Sequence, residues 1–460
     1  MVTNQQSTSA TADRLLRDLI SSYGNDGVPV PVDFRSMVTW LPRTERVTHL
    51  IHPYPAKLLM HIPHLFLSSS VFSEPGGVVL DPFAGSGTVL LEAMLAGRES
   101  LGAEPCPVSR LVAKVKTTPV SPDRLKATHK ALLAGISSKP TAPPPQTLGF
   151  RLDYWFHPHV ISQLQCIREA VQRVDDDATR DFLWVCFSVC VRKVSLADPR
   201  LSVPVRLRPD KYPAEHPLRR KGRKRLASLK TVDVKTVFDE VATKNIKRME
   251  ALWAVRGHAK PARQLLHDAR SLGASPHSGD KGIPDETVDV VLTSPPYAGA
   301  QKYVRSQSLS MAWLGFLADH PLMHYKRQTI GREEFVRNEY RDLETTGIRS
   351  ADEMIPEIYL RNPLRACILT DYLKAMRQAF LEVDRVLAPG GVIVLVSGNN
   401  TVCGLDVPTS MFLRSILEGI GFADVLCLVD DIRSRGLMTK RNKTAGLIAQ
   451  EWVSVYRKDG

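Results

Sequence analysis

The feature that most constrains the fold is a short apolar run that ends in a glycine-containing turn. Val78–Leu80 is followed directly by Asp-Pro-Phe-Ala-Gly-Ser-Gly-Thr at residues 81–88, and an apolar helical segment, Val89–Ala96, comes next. A short apolar run predicts a buried strand, and glycine lets the backbone approach a ligand where any Cβ would clash. A strand, a tight turn and a helix in this order are typical of the first unit of a doubly wound α/β sheet.

A second loop in the same strand context lies far downstream. The apolar run Val288–Leu292 leads into Thr-Ser-Pro-Pro-Tyr at residues 293–297. Because consecutive prolines stiffen a loop, polar groups at its start are held in a fixed orientation. Between the two loops the α/β pattern continues through a strand at 101–104 and a helix at 107–115, and resumes with a strand at 262–266. The fold class predicted is α/β, a Rossmann-like sheet with an inserted, mainly helical region.

The chain is too long for one core, because it has 460 residues and single cores rarely grow past about 250–300. Within the inserted region we predict a proline-rich linker at 121–146 and helices at 150–258, and we predict irregular structure at 298–365. A helix at 370–387, a strand at 392–396 and a closing pair of antiparallel strands at 423–429 and 452–456 complete the sheet. Ala12–Tyr23 has the spacing of a short amphipathic helix.

We divide the chain into six segments on this basis. They are an N-terminal extension (1–47), a first part of the α/β unit with the glycine turn (48–120), a basic and mainly helical insert (121–261), a second part of the α/β unit with the proline-containing loop (262–297), a second insert (298–369) and a C-terminal part of the α/β unit (370–460).

The charge of the chain favours a polyanionic partner. The formal net charge is +13, and residues 201–235 contain eleven Lys or Arg against three Asp or Glu, a local net of +8. A solvated charged surface is the alternative reading of such a run. Phosphate contacts would position the protein without reading a base sequence. The candidate nucleic-acid-binding residues are Arg219, Arg220, Lys221, Arg223, Lys224 and Arg225.

Seven scattered cysteines without a paired Cys-x-x-Cys spacing predict free thiols in a reducing compartment and no metal site. Cys186 and Cys190 are one helical turn apart in an apolar run, which is typical of small buried hydrophobic residues. The first residues are polar, and no apolar run approaches the ~18 residues of a membrane span. We therefore expect a cytoplasmic protein without a membrane partner.

Three acidic residues each follow a predicted strand. Asp81, Glu104 and Asp268 would meet at one edge of the sheet, where open α/β sheets bind ligands. A single acid is more often a surface residue, but three in succession indicate a site. Asp81 could accept hydrogen bonds from an ammonium group, Glu104 from two ribose hydroxyls and Asp268 from an adenine amine. A phosphate or dinucleotide loop is the competing reading, but neither Gly-x-Gly-x-x-Gly nor Gly-Lys-Ser/Thr is present.

Together the loops at 81–88 and 293–297 resemble those of the S-adenosylmethionine-dependent DNA amino-methyltransferase family. His-Pro-Tyr-Pro-Ala-Lys at 52–57 resembles the motif that precedes the cofactor loop in that family. The similarity covers about 48–116, 262–297 and the chain from 370. It implies a class I methyltransferase sheet, S-adenosylmethionine as cofactor and double-stranded DNA as partner. The implied cofactor-binding residues are Tyr54, Lys57, Asp81, Phe83, Ala84, Gly85, Gly87, Thr88, Glu104 and Asp268.

The second loop fits methyl transfer to an exocyclic amine. Such an amine is a poor nucleophile because its lone pair is delocalised into the ring, and acceptors for its hydrogens relieve this. We predict Ser294 and the carbonyl of Pro295 as these acceptors, Pro296 as a stiffening residue, and Tyr297 as a stacking partner for a base swung out of the helix. Family members with serine before the prolines are similar to cytosine-N4 enzymes, whereas aspartate or asparagine is more typical of adenine-N6 enzymes.

We therefore expect direct transfer to cytosine N4 in a restriction-modification or phage-defence setting, with an adenine-N6 enzyme as the alternative. An RNA guanine-N2 methyltransferase and a non-catalytic nucleic-acid-binding protein are further alternatives. A carbon-5 cytosine enzyme would need a thiolate nucleophile. Pro105-Cys106 lies after the ribose acid and not at the catalytic strand, so we interpret Cys106 as structural. We expect the first insert to clamp and read DNA, and the second to close around the flipped base.

Overall fold

The computed structural model describes residues 2–42, 46–55, 57–258, 260, 262–265, 268–273, 282–299, 303–432 and 449–460. Among the residues of predicted segments, Ala56, Leu266, His267 and 300–302 lie outside the described residues. Across this part of the chain, ten strands form one large sheet and one hairpin. The strands are β1 (Val30–Val32), β2 (Val78–Asp81), β3 (Glu99–Ala103), β4 (Arg263–Leu265), β5 (Val288–Thr293), β6 (Leu387–Ser397), β7 (Asn400–Val402), β8 (Leu405–Val407), β9 (Phe422–Asp431) and β10 (Gln450–Lys458).

The large sheet has the strand order β1-β9-β10-β6-β5-β2-β3-β4. β2 to β6 run parallel to one another, and β10 is antiparallel to both of its neighbours, β6 and β9. The predicted α/β class and the closing antiparallel pair are confirmed. β1, which the sequence did not indicate, extends the sheet by pairing parallel to β9. Every strand of this sheet except β10 therefore ends at one common edge, called the carboxyl edge below.

Helices cover both faces of the sheet and build the inserts. They are α1 (Val2–Asp26), α2 (Phe34–Met37), α3 (His61–Ser68), α4 (Thr88–Leu95), α5 (Pro107–Lys116), α6 (Pro122–Gly135), α7 (Leu152–Trp155), α8 (Pro158–Gln172), α9 (Asp177–Val194), α10 (Pro217–Leu229), α11 (Val234–Ala254), α12 (Tyr303–Ser306), α13 (Ser308–Trp313), α14 (Leu322–Gln328), α15 (Arg349–Arg361), α16 (Pro363–Val386) and α17 (Thr409–Ile420). Within the described residues, no helix combines the length and the apolar character that crossing a membrane requires.

Alternation along the strands separates two cores. Val392, Val394 and Val396 of β6 pack with α1 to α4, whereas Ile393 and Leu395 pack with α15 to α17 on the opposite face. Both sets are almost fully buried because successive side chains of a strand point to opposite faces and both faces carry helices. The central strands are therefore fixed from both sides, and the loops at their carboxyl ends start from rigid positions.

The inserts form a third core that is continuous with the helices of the sheet. Buried residues of α4 and α5 share one hydrophobic cluster with α6, α8, α9, α11 and α13. The predicted helical character of 150–258 is confirmed. The inserts therefore pack directly on the flank of the cofactor unit. The six predicted segment boundaries stay a prediction.

Two of the predicted irregular regions contain helices. Residues 121–146 were expected to form a linker, but α6 occupies their first half. Pro122 stands in its first turn, where the missing amide costs nothing, and Leu125 and Leu132 bury one face. The irregular structure expected at 298–365 is likewise wrong in part, because α12 to α15 lie there. These helices were missed because the first region is rich in proline and the second has mixed charge, so the short apolar faces of the helices were not recognised in the sequence.

The N-terminal extension is integrated into the sheet. The predicted helix at 12–23 is confirmed and is longer than expected, since α1 runs Val2–Asp26. Leu16 is fully buried, and the Asp13 carboxylate accepts hydrogen bonds from the hydroxyls of Ser69 and Ser70 at 2.6 and 2.7 Å. The extension thus covers the β9 side of the sheet and leads through β1 to the carboxyl edge.

Candidate active site

A side-chain hydrogen bond joins the two loops identified in the sequence. Thr293 Oγ1 donates to Asp81 Oδ1 at 2.6 Å, and the backbone amide of Phe83 donates to the same oxygen at 3.1 Å. The contact exists because β2 and β5 are adjacent, parallel strands that end at the same edge. Burial raises the pKa of Asp81 to about 7, although the hydrogen bonds from Thr293 and Phe83 oppose this. A cationic ligand group beside this carboxyl would relieve the cost of burying its charge.

The turn after β2 needs its glycines for two different reasons. Gly85 and Gly87 both have positive φ, 49° and 74°. A Cβ on Gly87 would lie 2.8 Å from the Cβ of Ala113, so this glycine allows α5 to pack closely on the turn. A Cβ on Gly85 would lie 3.3 Å from the ring of Tyr54. Gly85 therefore keeps open the space between the turn and the Tyr54 ring.

A polar group is left without a partner in the same turn. Thr88 begins α4, and its Oγ1 atom is buried with no hydrogen-bond partner in the described structure. Buried polar atoms normally have partners, so this one is available to a ligand. Ala84, by contrast, is held by the backbone, because its amide donates to the carbonyl of Ala103 at 3.0 Å.

The acid after β3 faces the same turn. Glu104 accepts a hydrogen bond from the amide of Cys106 at 2.8 Å. Burial raises its pKa to about 7, opposed by hydrogen bonds from the amides of Cys106 and Gly85 and by the charge of Arg110. The acid after β4 differs, because Asp268 forms an ion pair with Arg270 and both side chains are about 30% exposed (29% and 30%). The structure thus places Asp81 in a buried position, Glu104 in a half-buried position and Asp268 in an accessible ion pair.

Both inserts hold the segment that precedes the cofactor loop. His52 is buried and its Nε2 lies 2.8 Å from the hydroxyl of Ser188 in α9, which in turn donates to Ser310 of α13 at 2.7 Å. The ring of Tyr54 stacks on Tyr303 of α12 with ring centroids 6.4 Å apart. Side chains of both inserts therefore fix the position of the Tyr54 ring above the glycine turn.

Lys57, at the end of the same segment, is bound by the protein backbone. Lys57 Nζ donates to the carbonyl of His49 at 3.0 Å and is half-buried. Its ammonium group is thereby tied to the backbone of its own segment. A direct cofactor contact by Lys57 stays a prediction.

The second loop is compact and partly buried. Pro295 is buried, whereas Ser294, Pro296 and Tyr297 are half-buried. Burial raises the pKa of the Tyr297 phenol well above its usual value, and the nearby Ser294 side chain opposes this. The loop thus presents a small hydroxyl and an aromatic ring together, next to Asp81.

Comparisons with known proteins agree with this arrangement. A family model described as DNA methylase, of the N6 and N4 type, matches residues 42–106, which contain the Tyr54 segment, the glycine turn and Glu104. The chain is 23% identical to the Type II methyltransferase M.MvaI of Kocuria varians, over 87% of each chain. It is also 23% identical to the Type II methyltransferase M.BsoBI of Geobacillus stearothermophilus, over 83% of this chain and 80% of the relative.

The predicted resemblance to the S-adenosylmethionine-dependent DNA amino-methyltransferases is confirmed. The predicted cofactor, S-adenosylmethionine, is confirmed with it. Among solved structures, the rRNA methyltransferase AviRa from Streptomyces viridochromogenes aligns over 90% of both chains with 12% identity and a TM-score of 0.31, which is too low to bear on the assignment. The residues present fit a methyltransferase cofactor, because Asp81 offers a buried carboxyl to a cation and Thr88 a buried hydroxyl without a partner.

The chain has further charged groups at the carboxyl edge that the sequence did not single out. Glu451 at the start of β10 is paired in register with Asp430 at the end of β9. Burial and the charge of Asp430 raise the pKa of Glu451 to about 7, while Arg35 of α2 opposes this. The charge of Glu451 in turn raises the pKa of Tyr297. The only sequence signal for Glu451 was an acid standing directly before an apolar strand, and Arg35 had none.

The basic run of the first insert forms helix α10, and its cations divide into two groups. Arg219 and Arg223 form ion pairs with Asp210 at 3.3 and 2.9 Å, and Arg225 donates to the carbonyl of Lys193. Three others are exposed and have no ion pair within the described part of the chain. They are Arg220, Lys221 and Lys224.

Cys106, Cys186 and Cys190 are buried and lie in or beside helices. Cys106 caps α5 in a buried position, and burial raises the pKa of its thiol to about 11. A thiolate nucleophile is therefore disfavoured at this position, as expected for a structural residue. Cys186 and Cys190 are fully buried in α9, as predicted. In the described ranges, no group of three or more His, Cys, Asp or Glu side chains is placed to hold a metal ion.

Proposed function

We propose that this chain is a site-specific DNA methyltransferase that transfers a methyl group from S-adenosylmethionine to the N4 amine of cytosine. The observation that supports it most strongly is the 2.6 Å hydrogen bond between Thr293 and Asp81. It puts Ser294, one residue along, beside the carboxyl that would receive the cationic end of the cofactor. This hydrogen bond therefore joins the site proposed for the methyl donor to the loop proposed for the target amine.

The loop prepares the amine for attack. The Ser294 hydroxyl oxygen and the Pro295 carbonyl accept the two hydrogens of the target amine, so that the nitrogen becomes pyramidal and its lone pair is localised on it. One of the two hydrogens leaves as a proton to solvent when the methyl group is transferred. S-adenosylmethionine, when bound, supplies a methyl group on a cationic sulfur. Because Pro295 and Pro296 restrict the backbone, the two acceptors are oriented before the base arrives. Transfer is direct, and the high pKa of the Cys106 thiol agrees with a route that needs no enzyme nucleophile.

The base must leave the duplex to reach this loop. Tyr297 offers its ring for stacking, and the loop behind it is closely supported. A Cβ on Gly331 would lie 3.0 Å from the Tyr297 carbonyl and 3.6 Å from the ring of Tyr372. Serine before the prolines favours cytosine over adenine as the target.

DNA contact is assigned to the exposed face of α10. Arg220 and Lys224 are one helical turn apart, and Lys221 lies between them in sequence, so that all three are available to phosphates. Arg219, Arg223 and Arg225 are engaged within the protein and support this helix. The match to the DNA methylase family model supports DNA over RNA as the polymer. A restriction-modification or phage-defence role agrees with the Type II names of the relatives.

Mass spectrometry of nucleosides tests the reaction. The protein is incubated with unmethylated bacterial DNA, or with RNA, and with cofactor carrying a deuterated methyl group. Labelled N4-methylcytosine in DNA is the expected product. Labelled N6-methyladenine would instead indicate that the target is the N6 amine of adenine. Label in RNA alone, or tight DNA binding without any label, would contradict the proposal.

A further inference from the structure

A cluster of charged side chains lies on the acceptor side of the carboxyl edge. β10 begins where β6 ends, with Trp452 opposite Ser397, and Glu451 stands opposite Asp430 at the end of β9. β1 runs parallel to β9 with Val32 opposite Asp430, so α2 and Arg35 start at the same edge. Three segments far apart in the chain therefore bring Arg35, Asp430 and Glu451 together near the catalytic loop.

Of these three residues, Glu451 is the one whose charge influences the loop at 293–297. Its charge reaches the Tyr297 phenol, and the charges of Asp430 and Arg35 reach it in turn. Its carboxyl has no hydrogen-bond partner in the described part of the chain. A half-buried carboxyl beside a like charge is costly, and such arrangements are concentrated at functional sites. The fold itself does not require Glu451, because the packing of β10 is supplied by Val453 and Val455.

We propose that Glu451 hydrogen-bonds the edge of the target base that carries the reacting amine. This inference rests on the proposed function. Cytosine and adenine both present a ring nitrogen that accepts a hydrogen bond next to an amine that donates one. A neutral carboxyl group donates through its hydroxyl and accepts through its carbonyl, so it matches both bases. Guanine presents two donors at the corresponding edge and does not match.

The role of Glu451 is orientation and not bond making. With the ring nitrogen held by the hydroxyl of the carboxyl group, the amine is directed to Ser294 and the Pro295 carbonyl. The carbonyl oxygen of Glu451 then shares one of the two amine hydrogens with one of these acceptors in a three-centre hydrogen bond. The groups that face Glu451 are Asp430 of β9, Arg35 of α2 and Tyr297 of the loop. Asp430 favours the neutral form of Glu451 that this pairing needs, whereas Arg35 moderates it.

The test compares two substitutions of similar size. E451M keeps the length of the side chain without hydrogen-bonding groups, and E451Q keeps one donor and one acceptor in the same places. The matched control is D431N, on the exposed neighbouring acid of β9. Initial rates are measured with unmethylated bacterial DNA and saturating labelled S-adenosylmethionine, and cofactor affinity is measured separately by calorimetry. Thermal melting establishes that each variant is folded.

We expect E451M to lower kcat/KM for DNA by about tenfold to a hundredfold, the range for losing a hydrogen bond to a polar group in a closed site. E451Q and D431N should retain most of the wild-type rate, and all three should bind S-adenosylmethionine normally. In the wild type the rate should fall as pH rises above about 7, where the Glu451 carboxyl ionises, and this fall should be absent in E451Q.

Two results would overturn this inference while leaving the proposed function intact. One is a wild-type rate in E451M. The other is an E451Q variant that is as slow as E451M, because a base edge matched by donor and acceptor would accept the amide. A wild-type protein that transfers no label to DNA would instead refute the proposed function itself.

Discussion

The carboxyl edge of the sheet has two halves that are built in different ways. The cofactor half lies at β2, β3 and β4, and consists of the glycine turn with Asp81, Glu104 and Asp268. The acceptor half lies at β5, β10, β9 and β1, and consists of the loop at 293–297 with Glu451, Asp430 and Arg35. Strand, turn and helix follow one another closely in the first half, whereas the second half is assembled from both ends and the middle of the chain.

Asp81 in the cofactor half and Glu451 in the acceptor half differ in what surrounds their carboxyls. The pKa of Asp81 is raised by burial and lowered by hydrogen bonds from Thr293 and Phe83. The pKa of Glu451 is raised by burial and by the neighbouring charge of Asp430. Asp81 is therefore ready to ionise against a cation, whereas Glu451 is held toward its neutral form. One half favours a positive ligand, and the other favours a neutral partner that both donates and accepts.

Replacing Ser294 should separate the halves most clearly. S294A removes an acceptor for the target amine, and we expect kcat to fall by about a hundredfold or more, the range for removing one preorganised hydrogen-bonding group. The dissociation constant for S-adenosylmethionine should change little, since Ser294 lies in the acceptor half. Radiolabel transfer and calorimetry measure the two quantities. The control is S350A, at an exposed serine of α15, and a large loss of cofactor affinity in S294A would remove the distinction between the halves.

Replacing Asp81 should have the opposite signature. D81N keeps the shape of the side chain and removes its charge, so we expect cofactor affinity to weaken about tenfold to a hundredfold, as for loss of a hydrogen bond to a charged group. Activity should recover substantially at saturating cofactor. D123N, at an exposed acid of α6, is the matched control. Unchanged affinity in D81N would mean that the cation of the cofactor lies elsewhere.

The raised pKa of Asp81 in the cofactor half should make the stability of the protein depend on pH. The pKa of Asp81 is about 7 in the folded protein against an ordinary 3.8. Between these values the unfolded chain binds fewer protons at this residue, so its contribution to stability falls as pH rises from about 4 to about 7 and is constant above. Melting temperatures of wild type and D81N should therefore diverge across this window. The stabilisation by S-adenosylmethionine should grow as pH rises through about 7, in the wild type alone.

Neutralising the exposed face of α10 should leave both halves intact and weaken DNA binding. In R220Q/K221Q/K224Q we expect the logarithmic salt dependence of DNA affinity to flatten by about 0.9 for each phosphate that is no longer neutralised. Cofactor affinity should be unchanged. The control carries K130Q/K139Q, two exposed lysines outside α10. Equal salt dependence in all three proteins would assign the phosphate contacts to another surface.

The smallest effect is expected at Cys106. Because burial holds the pKa of its thiol near 11, the group is neutral at ordinary pH and takes no part in transfer. C106S should retain nearly all activity and lose only a little stability. Trapping of this cysteine by a DNA base analogue that captures thiolate enzymes would contradict direct transfer.

Prediction from sequence succeeded where the signal was local. The glycine turn, the Thr-Ser-Pro-Pro-Tyr loop and the closing strands each lie within a few residues of an apolar run, and the sheet places them as expected. Helix α6 was missed because the prolines at 140–145 led us to predict a linker that also included Leu125 and Leu132, which are buried residues of this helix.

The acceptor half could not be predicted for a different reason. The position of Glu451 depends on strand register with Asp430, and that of Arg35 on the unexpected pairing of β1 with β9. Neither the register of β10 with β9 nor the pairing of β1 with β9 can be recognised from the spacing of apolar residues in the sequence. Asp268 shows the converse limit, since its place after a strand was correct but its ion pair with Arg270 was not foreseen.

The hydrogen-bonded chain from His52 through Ser188 to Ser310 bears on how this enzyme could be re-engineered. It fastens both inserts to the segment that carries Tyr54. Exchanging the first insert for that of a relative, in order to change the DNA site that is read, would cut this fastening and shift the Tyr54 ring. Any exchange within the first insert should therefore keep α9 with Ser188 in place.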